Sequence, residues 1–411
     1  MKPGTNSPSI QQIGSSYEFL QIDRVRWANP DRGSSLVEMV GAELRHRSLQ
    51  RPIVVTSPTL RRTSPVVDKL VESLGGRDQV SVFDATEPHV PRSTVLACVE
   101  AIRESNADVV ITLGGGTPID TVKTALLAIG AGIRSGADFD RYAVRTLADG
   151  TRQVPDSPPP PLRQIVVPTT LSGAEFSDLA GCVDPITKVK QLFTAPFIGS
   201  AAVVLDPVTT LATPDELWFS TGIRALDHAA ESLCSTAPNP FTDATALHAI
   251  QMLARSLLRT KQAPEDLSAR LESQQAVWLA CVGLNRVPWG GSHGIGHQIG
   301  AVAGVPHGLC SCVMLPHVLD HNEIATEQQQ QQLRAILSNE LGVGRTRGLS
   351  AADLVARLVS ELGLPSRLRD VGVDRAQLPQ IAELSVSNMF VRQNPRPLDS
   401  TTILTLLERA F

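Results

Sequence analysis

Three histidines in the C-terminal half, His228, His293 and His307, are placed like the ligands of a metal site. His228 closes Gly222-Ile-Arg-Ala-Leu-Asp-His228, and the other two frame His293-Gly-Ile-Gly-His297-Gln-Ile-Gly-Ala-Val-Ala-Gly-Val-Pro-His307-Gly. One helical turn before His228, where a fourth ligand would share its face, the chain carries Arg224. A guanidinium stays protonated and has no lone pair to offer a cation. Three neutral imidazoles hold zinc in other enzymes, so His228, His293 and His307 are the ligands if a metal binds. A fixed positive charge within a few Å opposes that, and no catalytic metal is expected.

A second chemistry is written into Leu113-Gly-Gly-Gly-Thr117-Pro118-Ile-Asp120-Thr-Val-Lys123. A strand runs into a glycine turn and then a helix, with Thr117 as the expected cap and Pro118 at the first helical position. Glycine lets the backbone approach an anion, and the free amides at a helix start point at phosphate. A strand–helix turn that uses glycine for geometry alone has the same pattern, and this is neither GxGxxG nor a Walker loop. Pro168-Thr169-Thr170-Leu171-Ser172-Gly173-Ala174-Glu175 makes a second polar loop after the next strand. Two such loops at the carboxyl ends of parallel strands form a nucleotide crevice.

The elements that must carry these loops alternate. Strands are expected at 52–55, 80–83, 107–113, 164–167 and 202–205, with helices at about 60–74 and 91–104. That order implies a parallel, doubly wound sheet. Residues 134–161 interrupt it and end in a proline run. Beyond Pro214 the signals are helical, at about 214–235, 241–260, 266–285, 293–303, 323–340, 351–362, 376–390 and 401–409. The fold class is therefore an α/β N-terminal Rossmann-like domain, 17–207, followed by an all-α C-terminal domain, 208–411, with residues 1–16 expected to be disordered.

Composition narrows the partners. With 42% hydrophobic residues among 411 the chain can bury large cores. A net charge of −4 gives no global pull toward nucleic acid or an anionic membrane. Six cysteines without a CxxC pair read as reduced, buried thiols of a cytoplasmic protein, and no run is apolar enough to span a membrane.

Taken together these segments resemble the iron-containing (group III) alcohol dehydrogenase family, which shares its fold with dehydroquinate synthase and glycerol dehydrogenase. Gly114 to Lys123 is similar to the family's GGGSxxDxAK, and Pro168 to Glu175 to its PTT…SE loop. Ala225-Leu-Asp-His-Ala-Ala-Glu231 is similar to ALxHAxE, and His293 to Gly308 to HxxxH…PHG. Leu315-Pro-His-Val318 and Asn394-Pro-Arg-Pro397 follow as in the family. The resemblance implies NAD(P) binding and hydride transfer in a cleft between two domains, in a homodimer. It places the pyrophosphate and adjacent ribose on Gly114, Gly115, Gly116, Thr117 and Asp120, and the adenine side on Thr169, Thr170 and Leu171. Lys190 falls at a family lysine beside the nicotinamide ribose.

Many members carry Asp after the first strand of this region, where it repels a 2′-phosphate. Here Ser57 stands in Val55-Thr-Ser-Pro58, with Arg61 and Arg62 nearby, so NADPH is expected to be accepted alongside NADH. The family's metal positions correspond to Arg224, His228, His293 and His307. Maleylacetate reductases, which share the PTTLSG-type loop, also lack the aspartate and work without metal, are the nearest functional analogue. The expected function is a metal-independent NAD(P)H reductase of a small oxo-acid or enol-acid. Arg224 would hold a carboxylate or polarise the carbonyl. His228, His293 and His307 would be donors, and His297 the proton donor. An aldehyde or ketone reductase of a biosynthetic pathway, and a member turned to a lyase-like or binding role, are the competing readings.

Overall fold

The computed structural model describes residues 17–146, 152–184, 190–343 and 348–411. The expected disorder of residues 1–16 lies outside them. Six strands build one parallel sheet: β1 (Arg24–Trp27), β2 (Pro52–Thr56), β3 (Ser81–Phe83), β4 (Val109–Gly114), β5 (Gln164–Pro168) and, after an antiparallel hairpin of β6 (Leu179–Val183) and β7 (Lys190–Thr194), β8 (Ser200–Leu205). Their order across the sheet is β1-β8-β5-β4-β2-β3. Strands β2, β4, β5 and β8 are buried throughout, which is why each reads as a continuous Val/Ile/Leu run rather than an alternating one.

Helices α1 (Leu36–His46), α2 (Arg92–Glu104) and α3 (Gly116–Ala131) cover the two faces of the sheet. The expected helix at 60–74 is two, Pro58–Thr63 and Val66–Ser73, because Ser64-Pro65 interrupts it. In the interruption at 134–161, Gly136–Arg141 forms a 3-10 turn, and Pro158 and Pro159 lie against Gly130 at the end of α3.

The second half is helical: α4 (Asp215–Leu233), α5 (Pro240–Gln262), α6 (Leu267–Ala280), α7 (Gly291–Ala303), α8 (His307–Asn322), α9 (Glu327–Glu340), α10 (Ala351–Glu361), α11 (Leu378–Val386) and α12 (Ser400–Ala410). The glutamine run 328–332 lies on α9, and Gln330 is buried with its Nε2 donating to the Leu319 carbonyl at 2.7 Å. Helix α4 is the central one, with its residues from Trp218 to Leu233 buried apart from Arg224. Its core reaches back into the α/β half, where Leu171, Phe176, Val203 and Leu205 join Trp218, Phe219 and Ile223. The six cysteines are all buried and unpaired, and among the described residues no helix is long and apolar enough to cross a membrane.

Candidate active site

The carboxyl ends of β4 and β5 face the start of α4 and the turn between α7 and α8, and a crevice of about 380 Å³ lies between them. Gly116, Thr117, Asp120 and Ser172 line it from the α/β side, with Lys190 from β7. Thr221, Arg224, His228, His293, His297 and His307 line it from the helical side. The phosphate loop and the histidines, far apart in sequence, thus share one cavity.

The glycine turn is geometric as well as open. Gly114 has φ +152, and a Cβ there would sit 2.7 Å from Pro118 Cγ. Helix α3 starts two residues earlier than expected: Gly115 is its N-cap, and Thr117 lies inside the first turn with no side-chain cap bond. The amides of that turn therefore remain available to an anion. Asp120 is fixed by Lys123, whose Nζ donates to it at 3.1 Å and to the Leu179 carbonyl at 2.9 Å.

Other expected cofactor residues stand outside the crevice. Thr169 and Thr170 are buried beneath the loop, with the Thr170 side chain against Gly115. Leu171 is buried in the core shared with α4, and its amide donates to Thr221 Oγ1 at 3.1 Å. Ser57 caps the short helix after β2 by accepting from the Leu60 amide. Arg61 is engaged by Asp68 at 2.6 Å and Asp84 at 3.9 Å, whereas Arg62 is exposed.

The four imidazoles cluster with two aromatic rings that sequence reasoning passed over. Trp289 lies 4.9 Å from His228 and 4.2 Å from His293 by ring centroid, and Phe390 lies 5.5 Å from His297. The tryptophan stands directly before Gly290-Gly291 and could have been noticed as part of that motif; Phe390 has no local signal. His228 Nδ1 meets Cys281 Sγ at 3.5 Å, and His293 Nδ1 meets Glu231 at 2.7 Å. His307 Nε2 meets Lys190 Nζ at 3.0 Å, which joins Lys190 to the histidines. Burial holds His228, His293 and His297 well below the ordinary imidazole range, with the Arg224 charge adding to it. For His307 the Lys190 charge is the larger cause and burial the second. All four are neutral near pH 7. His317 and His321 do not line the crevice.

Arg224 makes no ion pair among the described residues: its Nη1 donates to Ser311 Oγ at 3.2 Å. Asp227 and Glu231, one and two turns further along α4, do not pair with it and are held by other partners. Asp227 accepts from the Ser292 and Ser311 hydroxyls at 2.8 and 2.7 Å. Glu231 accepts from the amides of Gly290 and Ser292. Burial raises both carboxyls, and for Glu231 the neighbouring Asp227 charge raises it further.

The comparisons with known proteins agree with this arrangement. Residues 32–207 match the family description "Iron-containing alcohol dehydrogenase", and residues 218–411 match "Fe-containing alcohol dehydrogenase family, C-terminal". The chain belongs to the iron-containing alcohol dehydrogenase family. It is an NAD-dependent oxidoreductase. A 1,3-propanediol dehydrogenase of Citrobacter freundii is 31% identical over 391 residues, covering 92% of this chain and 96% of that protein. A maleylacetate reductase of a Rhizobium species is 28% identical, covering 90% and 92%. Among solved structures, maleylacetate reductase from Agrobacterium tumefaciens superposes with a TM-score of 0.78 at 26% identity, covering 97% of this chain and 99% of that one. A 1,3-propanediol oxidoreductase gives 0.82 at 27%, covering 97% and 100%.

The family name implies iron, and the donors here do not fit it. The four corresponding positions offer three imidazoles and a guanidinium. Lys190 holds the Nε2 of His307, and together with Arg224 it puts two cationic side chains where a dication would stand. Asp227, Glu231 and His293 do bring three potential ligand atoms within 4.8 Å of one another. The 2.7 Å contact between His293 and Glu231 has hydrogen-bond length, and serine hydroxyls and backbone amides occupy most of the remaining oxygen positions.

Proposed function

We propose that this chain is a metal-independent, NAD(P)H-dependent reductase of a small oxo-acid or enol-acid. Residues 17–207 bind the nucleotide and residues 208–411 bind the substrate, in a cytoplasmic homodimer. The observation that carries the reading is Arg224: a partly buried guanidinium in the crevice that, among the described residues, has a single protein hydrogen bond and no carboxylate within ion-pair reach. Its remaining N–H groups suit a bidentate anion.

Hydride would pass from the nicotinamide to the carbonyl carbon, or to the conjugated carbon of an enol-acid tautomer. The oxygen that gains the electron pair then takes a proton. A neutral His297 relays that proton rather than stores it, donating from one ring nitrogen as the other accepts. Arg224 holds the carboxylate, and its charge lies beside the developing alkoxide. Ser57 and Arg62 leave room for a 2′-phosphate, while Arg61 must give up Asp68 and Asp84 to help bind it. NADPH is therefore accepted beside NADH.

The 31% identity to a propanediol dehydrogenase supports a second reading, reduction of a neutral aldehyde. NADPH oxidation against matched oxo-acids and aldehydes separates the two, with the carboxylate-bearing substrates expected to be favoured by tenfold or more. Stoichiometric zinc or iron in the purified protein, held by the histidines, would overturn the metal-independent mechanism.

A further inference from the structure

Among the described residues no carboxylate pairs with Arg224 directly, yet Asp227 stands one turn away on the same helix. What joins them is Ser311 on α8. Its hydroxyl donates to Asp227 Oδ2 at 2.7 Å and accepts from Arg224 Nη1 at 3.2 Å. Ser311 and Asp227 are both fully buried, so neither hydroxyl nor carboxylate exchanges these partners for water. A long, flexible side chain at the wall of a cavity otherwise loses rotamer freedom whenever it grips a ligand.

We propose that Ser311 is a positioning residue: with Asp227 behind it, it fixes the guanidinium of Arg224 in the orientation that receives the substrate carboxylate. This rests on the oxo-acid reading above and adds a residue to it. Asp227 also polarises the hydroxyl, which then accepts more strongly from the arginine. A direct Asp227–Arg224 pair would instead have neutralised the anion site. The intervening hydroxyl orients the guanidinium while leaving its charge for the ligand.

The structure supplies its own control. Ser292 Oγ donates to the same Asp227 oxygen at 2.8 Å and does not touch Arg224. A merely structural role, satisfying Asp227, belongs to both serines alike; a positioning role belongs to Ser311 alone. Oxalate binding to the full chain in saturating NADPH is measured by calorimetry for the unsubstituted protein, Ser311→Ala, Ser311→Cys, Ser292→Ala and Arg224→Met. Loss of one charge-directed hydrogen bond corresponds to a weakening of about tenfold. That loss is expected for both Ser311 variants, the cysteine keeping the volume should alanine fold poorly. Ser292→Ala is expected to stay within about twofold. In turnover, Ser311→Ala raises KM for an oxo-acid while KM for the matching aldehyde holds. Equal losses at Ser292 and Ser311, or none at Ser311, overturn the proposal while leaving the anion site standing. Undiminished oxalate binding by Arg224→Met, or none by the unsubstituted protein, removes the oxo-acid reading and this proposal with it.

Discussion

Position 224 decides what the histidines can do, because one fixed charge changes the chemistry of every neighbour. With Arg224 and Lys190 present, burial and charge act in the same direction and all four imidazoles stay neutral. Arg224→Asp reverses that sign. We expect the variant to bind zinc through Asp, His228, His293 and His307 by metal analysis while losing carboxylate turnover by about a hundredfold. Turnover unchanged without metal would remove Arg224 from the mechanism. A second residue carries an independent prediction. Glu175 is buried at the junction of the halves with Oε2 unpartnered, and burial pushes its carboxyl up to about 7. The folded state thus holds a proton that the unfolded chain releases from about pH 4.5 upward. The associated stability is complete below that range and is lost as pH rises through 7. Glu175→Gln removes the loss, so its advantage in urea unfolding should grow by about 2 kcal/mol between pH 5 and pH 8. A constant difference at the two pH values would mean that Glu175 is not buried in the neutral form. The importance of Arg224 is legible in the chain, because it interrupts a motif. Glu175 is not: its burial depends on α3 and α6 closing over the loop.

Among the elements, the hairpin of β6 and β7 is the one whose geometry reaches furthest into the site. Lys190 starts β7 and must cross β6 to meet His307. Gly181 lets it pass, since a Cβ there would lie 2.1 Å from Lys190 Cε and 2.9 Å from its Nζ. The obstructed atoms are the mobile end of a side chain, so Gly181→Ala should leave the unfolding midpoint within about 0.5 kcal/mol of the unsubstituted protein. It should nonetheless lower kcat/KM by about tenfold, and adding Lys190→Met should lower it little more, because both changes remove one contact. Additive losses would separate Gly181 from Lys190. This hairpin was absent from the sequence reading, as were β1, α1 and α8. Strand β1 is a four-residue edge strand with two arginines tied to the buried Glu43, and so it lacks the apolar run that marks β2 and β4. Helix α8 carries Pro316 in its middle, a local breaker that packing among Val313, Met314, Leu315 and Val318 overrides. The central strands and α4 were legible because burial on every side leaves its mark on each residue.

At the scale of the whole molecule, the crevice lies between halves that also share a core. Leu171, Phe176, Val203 and Leu205 of the α/β half pack in one cluster with Trp218, Ile223 and Leu226 of α4. The cavity wall is drawn from both, with Gly116, Thr117 and Asp120 on one side and Arg224, His297 and His307 on the other. A ligand in the crevice therefore stabilises a unit that spans the junction rather than one half of it. Cofactor at a hundred times its dissociation constant adds about 2.7 kcal/mol to the folded state. Spread over the unfolding entropy of a chain of 411 residues, that amounts to a rise of about 3 °C in Tm. Scanning calorimetry should show a single transition that moves as a whole with NADPH, and moves further when oxalate is added. If the halves unfolded separately, two transitions would be resolved and NADPH would shift the α/β one alone. In that case the shared core would be too weak to couple the nucleotide site to the histidines, and carboxylate binding at Arg224 would be insensitive to the cofactor.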